Sequence, residues 1–360
     1  MKERTQINDR VQRLLIEHCR SYPMLEEQDV FKYLYQSAFG CEHMVSDENK
    51  ALDFIKREYS SLQSVSDSQK TEPLAGDYSR VSLGCIRDGL KPETLAKLFT
   101  LSAKKEPDGK ILLEQSLEIA KELVSLGILP FTLDRFCKRL DEWRAAGYPA
   151  IHHSEAFRSH YAPSYRVISN AFADFLQVFT KIDKLSQNDF SIVAIEGGSA
   201  SGKTTLTKML CRVYDCNVFH MDDFFLRPEQ RTPERLEEVG GNIDRERFIE
   251  EVLTPLKKND TVCYRRFDCA TQSLCDAVTV TPKRLTIVEG VYSTHPAFSR
   301  YYNLSLFLDI DSDFQKKRIT NRNSPELATR FFDEWIPMEN KYFSATDIKE
   351  RSDLIVRIDS

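Results

Sequence analysis

Gly197-Gly198-Ser199-Ala200-Ser201-Gly202-Lys203-Thr204 is the stretch from which the fold of this chain is read. It matches G-x-x-x-x-G-K-[ST] at every fixed position. An apolar β-branched run, Ser191-Ile-Val-Ala-Ile195, precedes it, and a helical run, Thr205 to Val213, follows. Strand, glycine-rich turn and helix in that order form a phosphate cradle. The glycines let the backbone turn its N–H groups inward, and the helix N-terminus adds positive potential. Residues 197–205, through Thr205, are therefore the expected ATP-binding segment. Lys203 is placed to reach the β- and γ-phosphates, and the Thr204 hydroxyl to hold Mg²⁺.

Around this loop the pattern is one of alternation. Short β-branched runs, Phe190 to Ile195, Asn217 to Met221, Leu285 to Val288, Leu304 to Asp309 and Leu354 to Ile358, are separated by helical stretches. That is the signature of βαβ units and of a parallel sheet wrapped by helices, and with the loop motif the expected fold is a doubly wound parallel α/β sheet of the P-loop NTPase kinase type. Upstream the pattern differs. Phe31 to Phe39, Ile111 to Leu126, Phe131 to Ala146 and Tyr165 to Lys184 carry apolar residues at helical spacing, and Gly40, Gly127 and Gly147 stand as stops. Ser61 to Lys70 is expected to be an exposed loop. The break comes at Ser186-Gln-Asn-Asp189. The expected organisation is a mostly helical domain over 1–186 and a kinase-type domain over 187–360.

Bulk properties narrow the function classes. At 360 residues the chain is long enough for two cores. A net charge of −5 argues against nucleic acid as a partner, which a basic face would attract. The nine cysteines include no C-x-x-C pair, so reduced thiols are expected. MKERTQINDR has no apolar core, so no signal peptide is expected, and no apolar run approaches a membrane span. These features predict a cytoplasmic protein acting on a small molecule, with self-association through the helical half left open.

The acids that follow the strands supply the chemistry. His220-Met-Asp222-Asp223-Phe224-Phe225 ends the second strand, and ligands of open parallel sheets bind at the strands' carboxyl ends. Asp222 is the candidate general base for an acceptor hydroxyl. Asp223 beside it lies within reach of the acceptor or is a plain turn acid. Leu285-Thr-Ile-Val288 closes on Glu289, a candidate Mg²⁺ ligand, direct or through water. Arg318 and Arg322, four apart, share one helix face and could clamp phosphates when a lid closes; a solvated charged face is the alternative.

These motifs resemble the uridine kinase and phosphoribulokinase group of P-loop kinases. Met221-Asp222-Asp223-Phe224-Phe225 is similar to the Q-D-S-F-Y of uridine kinases and more so to the Q-D-D-F-F of nicotinamide riboside kinases. The resemblance implies that Asp222 is the base and places Asp223 and Phe225 on the acceptor side. Gly241-Asn-Ile-Asp244 resembles the N-F-D that contacts a ribose, which implies a sugar contact for Asp244. Phe267-Asp-Cys-Ala-Thr-Gln272-Ser273 resembles Y-D-F-x-T-H-S, which lies over the base. Phe267 and Gln272 stand where uridine kinases have tyrosine and histidine, so the resemblance does not carry uridine itself over. Glu334-Trp-Ile-Pro-Met-Glu339 resembles a stretch of bacterial uridine kinase-like proteins.

The resemblance implies a kinase using ATP and Mg²⁺ on a nucleoside or similar metabolite. The competing readings are another NTPase and a nucleotide sensor without phosphotransfer. An N-K-x-D guanine motif and an ABC signature are both absent. Sensing ATP does not require a base, whereas Lys203, Thr204, Asp222 and Glu289 together suit transfer. In the N-terminal half, His152-His153-Ser-Glu155 and Cys41-Glu42-His43 collect groups able to bind metal. Surface or structural roles account for them equally well, and the role of this half is not legible.

Overall fold

The computed structural model describes residues 2–41, 47–62, 71–104 and 106–358, with only the backbone for 2–7. Glu42, His43 and most of the loop expected at Ser61 to Lys70 lie outside the described residues. The chain divides into two compact units, Met1–Asp183 and Lys184–Ser360. Among the described residues no helix is long and apolar enough to cross a membrane.

The first unit is built on helices Glu27–Phe39, Pro92–Ser102, Gly109–Ser125 and Leu133–Ala145. Their apolar faces meet over aromatic rings: Phe31 stacks on Trp143 at 5.4 Å and meets Phe136 edge-on. Gly40 ends the first of these helices at φ 57°, and a Cβ there would lie 2.4 Å from the Tyr78 ring. Only glycine combines that backbone with that approach.

The helical expectation for Tyr165 to Lys184 is corrected at its start. Tyr165–Ser169 is a strand (β3) that pairs antiparallel with β2 (Tyr78–Ser82), which in turn pairs with β1 (Thr71–Pro73). Helix begins only at Asn170 and resumes over Leu176–Lys184. Val167 and Ile168 are apolar at adjacent positions, which suits either a strand or a helix turn, and the sheet partners decide it.

The second unit carries a five-stranded parallel sheet of β4 (Ser191–Gly197), β5 (Cys216–His220), β8 (Leu285–Glu289), β9 (Leu304–Ile310) and β10 (Leu354–Ile358). Its order is β10-β9-β4-β8-β5. The phosphate-loop strand β4 is central and buried along its whole length, which explains its continuous apolar run. A hairpin of β6 (Val262–Asp268) and β7 (Ser273–Val280), not anticipated from sequence, stands apart from this sheet. Phe219, Phe224, Phe248, Phe298 and Tyr264 fill the core beside it.

Register sets the active edge. Glu289 lies opposite Ile195 on one side and His220 on the other. The phosphate loop, Glu289 and the Asp222 turn therefore leave the sheet at the same end, the end where a parallel sheet opens to ligands.

Candidate active site

The loop conformation explains its glycines. Gly197 has φ 145°, and a Cβ on it would sit 2.6 Å from the Leu308 carbonyl oxygen. Gly202 has φ 103° and leads directly into helix Lys203–Val213. The first amides of that helix have no intrahelical acceptor, so they are open to an anion. Lys203 Nζ is folded over the loop, donating to the carbonyls of Gly197 at 2.8 Å and Gly198 at 3.0 Å.

Thr204 Oγ1 donates to Glu289 Oε1 at 3.1 Å, and His220 Nδ1 reaches the same oxygen at 2.7 Å. Burial alone would raise Glu289, but His220, Lys203 and Thr204 hold it below the usual carboxylate range. The Glu289 side chain in turn raises His220. Asp222 sits in the single-turn segment Met221–Phe224 after β5. Burial pushes its carboxyl up, Lys203 pulls it down, and Glu289 pushes it up again. Asp223 is raised by burial too, with Arg266 at 4.0 Å.

The two arginines are placed differently. Arg318 Nη1 donates to the Ala200 carbonyl at 3.1 Å and lies over the Phe314 ring. Arg322 is the exposed last residue of helix Ser312–Arg322. Only Arg318 meets the loop. Among the residues expected to face an acceptor, Phe225 bridges to Ile243. Asp244 is buried and spends its carboxylate on the Arg247 N–H, Gln230 Nε2 and the Arg247 guanidinium. Phe267 is buried beneath Arg231. Gln272 takes a left-handed turn at φ 53° and donates to Cys269 O within its own hairpin.

Four residues given no role from sequence also meet the loop. Glu196, with no exposure, accepts from the backbone N–H of Gly197, Tyr292 and Thr294 and from the Thr294 hydroxyl. Burial pushes it up to about 7 against those donors. An acid closing an otherwise apolar buried strand was the available signal, because a buried carboxylate needs partners. Glu339, on helix Ile336–Thr346, accepts from Ser199 N at 2.8 Å and from the Ser199 hydroxyl. Gln315 Nε2 donates to Ser199 O at 2.7 Å. Nothing local in sequence brings residues 315 and 339 to residue 199. His220 is the fourth, through Glu289.

The residues present fit ATP and Mg²⁺. The glycine cradle closes around open amides, and the oxygens of Thr204 and Glu289 suit a hard dication. Among the described residues no three His, Cys, Asp or Glu side chains gather into a metal cage. A Mg²⁺ completed by substrate phosphates needs none. In the N-terminal unit His153 is engaged with Asp29 at 2.9 Å and Tyr165 at 2.6 Å.

No family model matches the chain. A uridine kinase of Chlamydia pneumoniae is 26% identical over 181 residues, covering 46% of this chain and 80% of that enzyme. A uridine kinase of Staphylococcus aureus (strain Newman) is 25% identical over 182 residues, covering 46% and 86%. Among solved structures, a possible uridine kinase from Bacillus stearothermophilus aligns with 50% of this chain and 98% of its own, at 20% identity and a TM-score of 0.37. The matches to the two uridine kinases, with the parallel sheet and its phosphate loop, lead to one conclusion: the C-terminal half of this chain is similar to uridine kinases and has the fold of a P-loop kinase.

Proposed function

We propose that this domain transfers the γ-phosphoryl of ATP to a hydroxyl of a nucleoside or a similar small metabolite, with Asp222 as the base. The observation that carries the reading is the position of Asp222. It leaves β5 at the edge shared with the phosphate loop, feels the Lys203 charge, and is raised by burial. A carboxylate with a raised pKa in reach of the phosphate site is matched to taking a proton from an alcohol.

The other residues take roles around it. Lys203 exchanges the Gly197 and Gly198 carbonyls for phosphate oxygens. Thr204 and Glu289 hold Mg²⁺, which neutralises charge on the β- and γ-oxygens when bound. His220 fixes the orientation of Glu289 from behind. Arg318 approaches from the loop's outer side, and Arg322 joins it if the helix closes further over the site. Asp223, Phe225, Asp244, Phe267 and Gln272 form the acceptor side, Asp244 chiefly by shaping the turn it caps.

The test is ADP release by the purified protein with Mg²⁺ and ATP against nucleosides, nicotinamide riboside, pantothenate and sugar phosphates. Acceptor-dependent release that disappears in Lys203→Ala supports the reading and names the acceptor. ATP binding with no release for any acceptor favours a nucleotide sensor instead.

A further inference from the structure

The N-terminal unit holds a cavity of about 330 Å³ lined by Lys32, His152, His153, Arg158, Ala162 and Pro163. That volume is at the small end of metabolite pockets. Four of the six lining side chains carry nitrogen, and none carries a carboxylate.

The wall is built rather than incidental. His153 is buried and held from behind, with Nδ1 on Asp29 Oδ1 and Nε2 on the Tyr165 hydroxyl. Asp29 is committed to His153, to the Ser154 N–H and hydroxyl, and to the Glu26 N–H. It forms no hydrogen bond with Lys32, and its charge offsets the burial of that ammonium only in part. The ammonium of Lys32 has one hydrogen-bond partner, the neutral Ile151 carbonyl at 3.0 Å. Burial and the nearby Arg80 guanidinium pull Lys32 down to about 8. Arg80 itself is 2% exposed, and its Nη2 has no partner. Arg158 stands at the rim, paired on its outer side with Glu155 at 2.7 Å. The lip is bent at Ala162, which takes the left-handed φ of 40° ahead of Pro163, a conformation costly for alanine.

A half-buried ammonium whose one hydrogen bond goes to a carbonyl, and which feels the Asp29 charge without bonding to it, has lost hydration without gaining a directly bonded counter-charge. An anion seated against Lys32 and Arg158 would supply one. We propose that this cavity is a binding site for a small metabolite carrying a phosphate or carboxylate group, separate from the phosphate loop.

The test is amine labelling of the full chain at pH 8, read peptide by peptide in a mass spectrometer. Inorganic phosphate and succinate serve as separate probes. An anion on Lys32 returns its pKa toward the ordinary lysine value and cuts the reactive amine by up to about a hundredfold. Slowing of Lys32 labelling by one probe supports the site and identifies the favoured group. Labelling of Lys203 in the same digest reports the phosphate loop independently. Protection of Lys203 alone overturns the proposal and leaves the kinase reading standing. Arg158→Gln, an exposed change that spares the core, should abolish the protection of Lys32. Protection unchanged in that variant, or no slowing by either probe at millimolar concentration, overturns the proposal.

Discussion

The two units bury charge with opposite results. In the N-terminal unit the buried charges are mostly paired. Burial would raise Glu72, but Arg80 at 3.1 Å and His18 at 2.6 Å outweigh it and hold the carboxyl down to about 2. Asp29 reaches about 2 as well, since donors from His153, Ser154 and Glu26 overcome its burial. In the C-terminal unit burial wins at three acids near the loop, while Glu289 is held down against its burial by His220, Lys203 and Thr204. Glu196 rises to about 7, and Asp222 and Glu339 are raised too. Settled pairs fix a structure, whereas acids raised by burial beside a lysine suit the site at which we propose that Mg²⁺ and a phosphate complete the balance.

The sharpest way to break this contrast is to unpair the N-terminal core. Arg80→Met leaves the partly buried Glu72 with only His18. It should lower stability by about 3–5 kcal/mol, as removal of one member of a buried ion pair does. Denaturant midpoints check it, and an unchanged midpoint would mean that Glu72 is not ionised in the core.

Acid should then move the two units in opposite directions. His153 is held down to about 4 by burial, so its contribution is present above the unfolded value of 6.5 and is lost as pH falls toward 4. Glu196 is raised from 4.5 to about 7, so its contribution is present below 4.5 and is lost as pH rises through 7. Between pH 7 and pH 5 each effect amounts to at most about 2–3 kcal/mol. His295, held down to about 4 by burial, subtracts from the C-terminal gain. Hydrogen exchange of peptides from each unit should show protection falling around His153 and rising around Glu196. Glu196→Gln should flatten the second trend, and a trend that persists in that variant would reassign it.

The smallest effect concerns Glu339. Its carboxylate lies against the Ser199 amide, with Lys203 and Asp222 in its field. Neutralising it in Glu339→Gln removes a negative charge from beside the incoming phosphates. Calorimetry should find ATP bound more tightly by about 1 kcal/mol. Weaker ATP binding would mean instead that the carboxylate's hold on Ser199 is needed to shape the loop.

What could be read in advance follows from what is local. Gly197 to Thr204, the strand before it and the helix after it are contiguous, so the loop was legible with the parallel fold around it. Asp222 and Glu289 were legible because strand ends in a parallel sheet converge. Three features were not, two of them because they depend on distant partners. Tyr165–Ser169 became a strand only because Tyr78–Ser82 offers it an edge. The hairpin of Val262–Asp268 and Ser273–Val280 pairs only with itself, beyond the parallel alternation. Glu339 and Gln315 reach Ser199 across more than a hundred residues of chain.

The central claim is that Asp222 takes the acceptor's proton at a site that holds ATP without it. The direct measurement compares wild type with Asp222→Asn in two assays, ATP affinity and single-turnover phosphate transfer to the accepted substrate. The account predicts unchanged ATP affinity and transfer slowed by about 10²–10⁴-fold. Transfer at the wild-type rate in Asp222→Asn would contradict it.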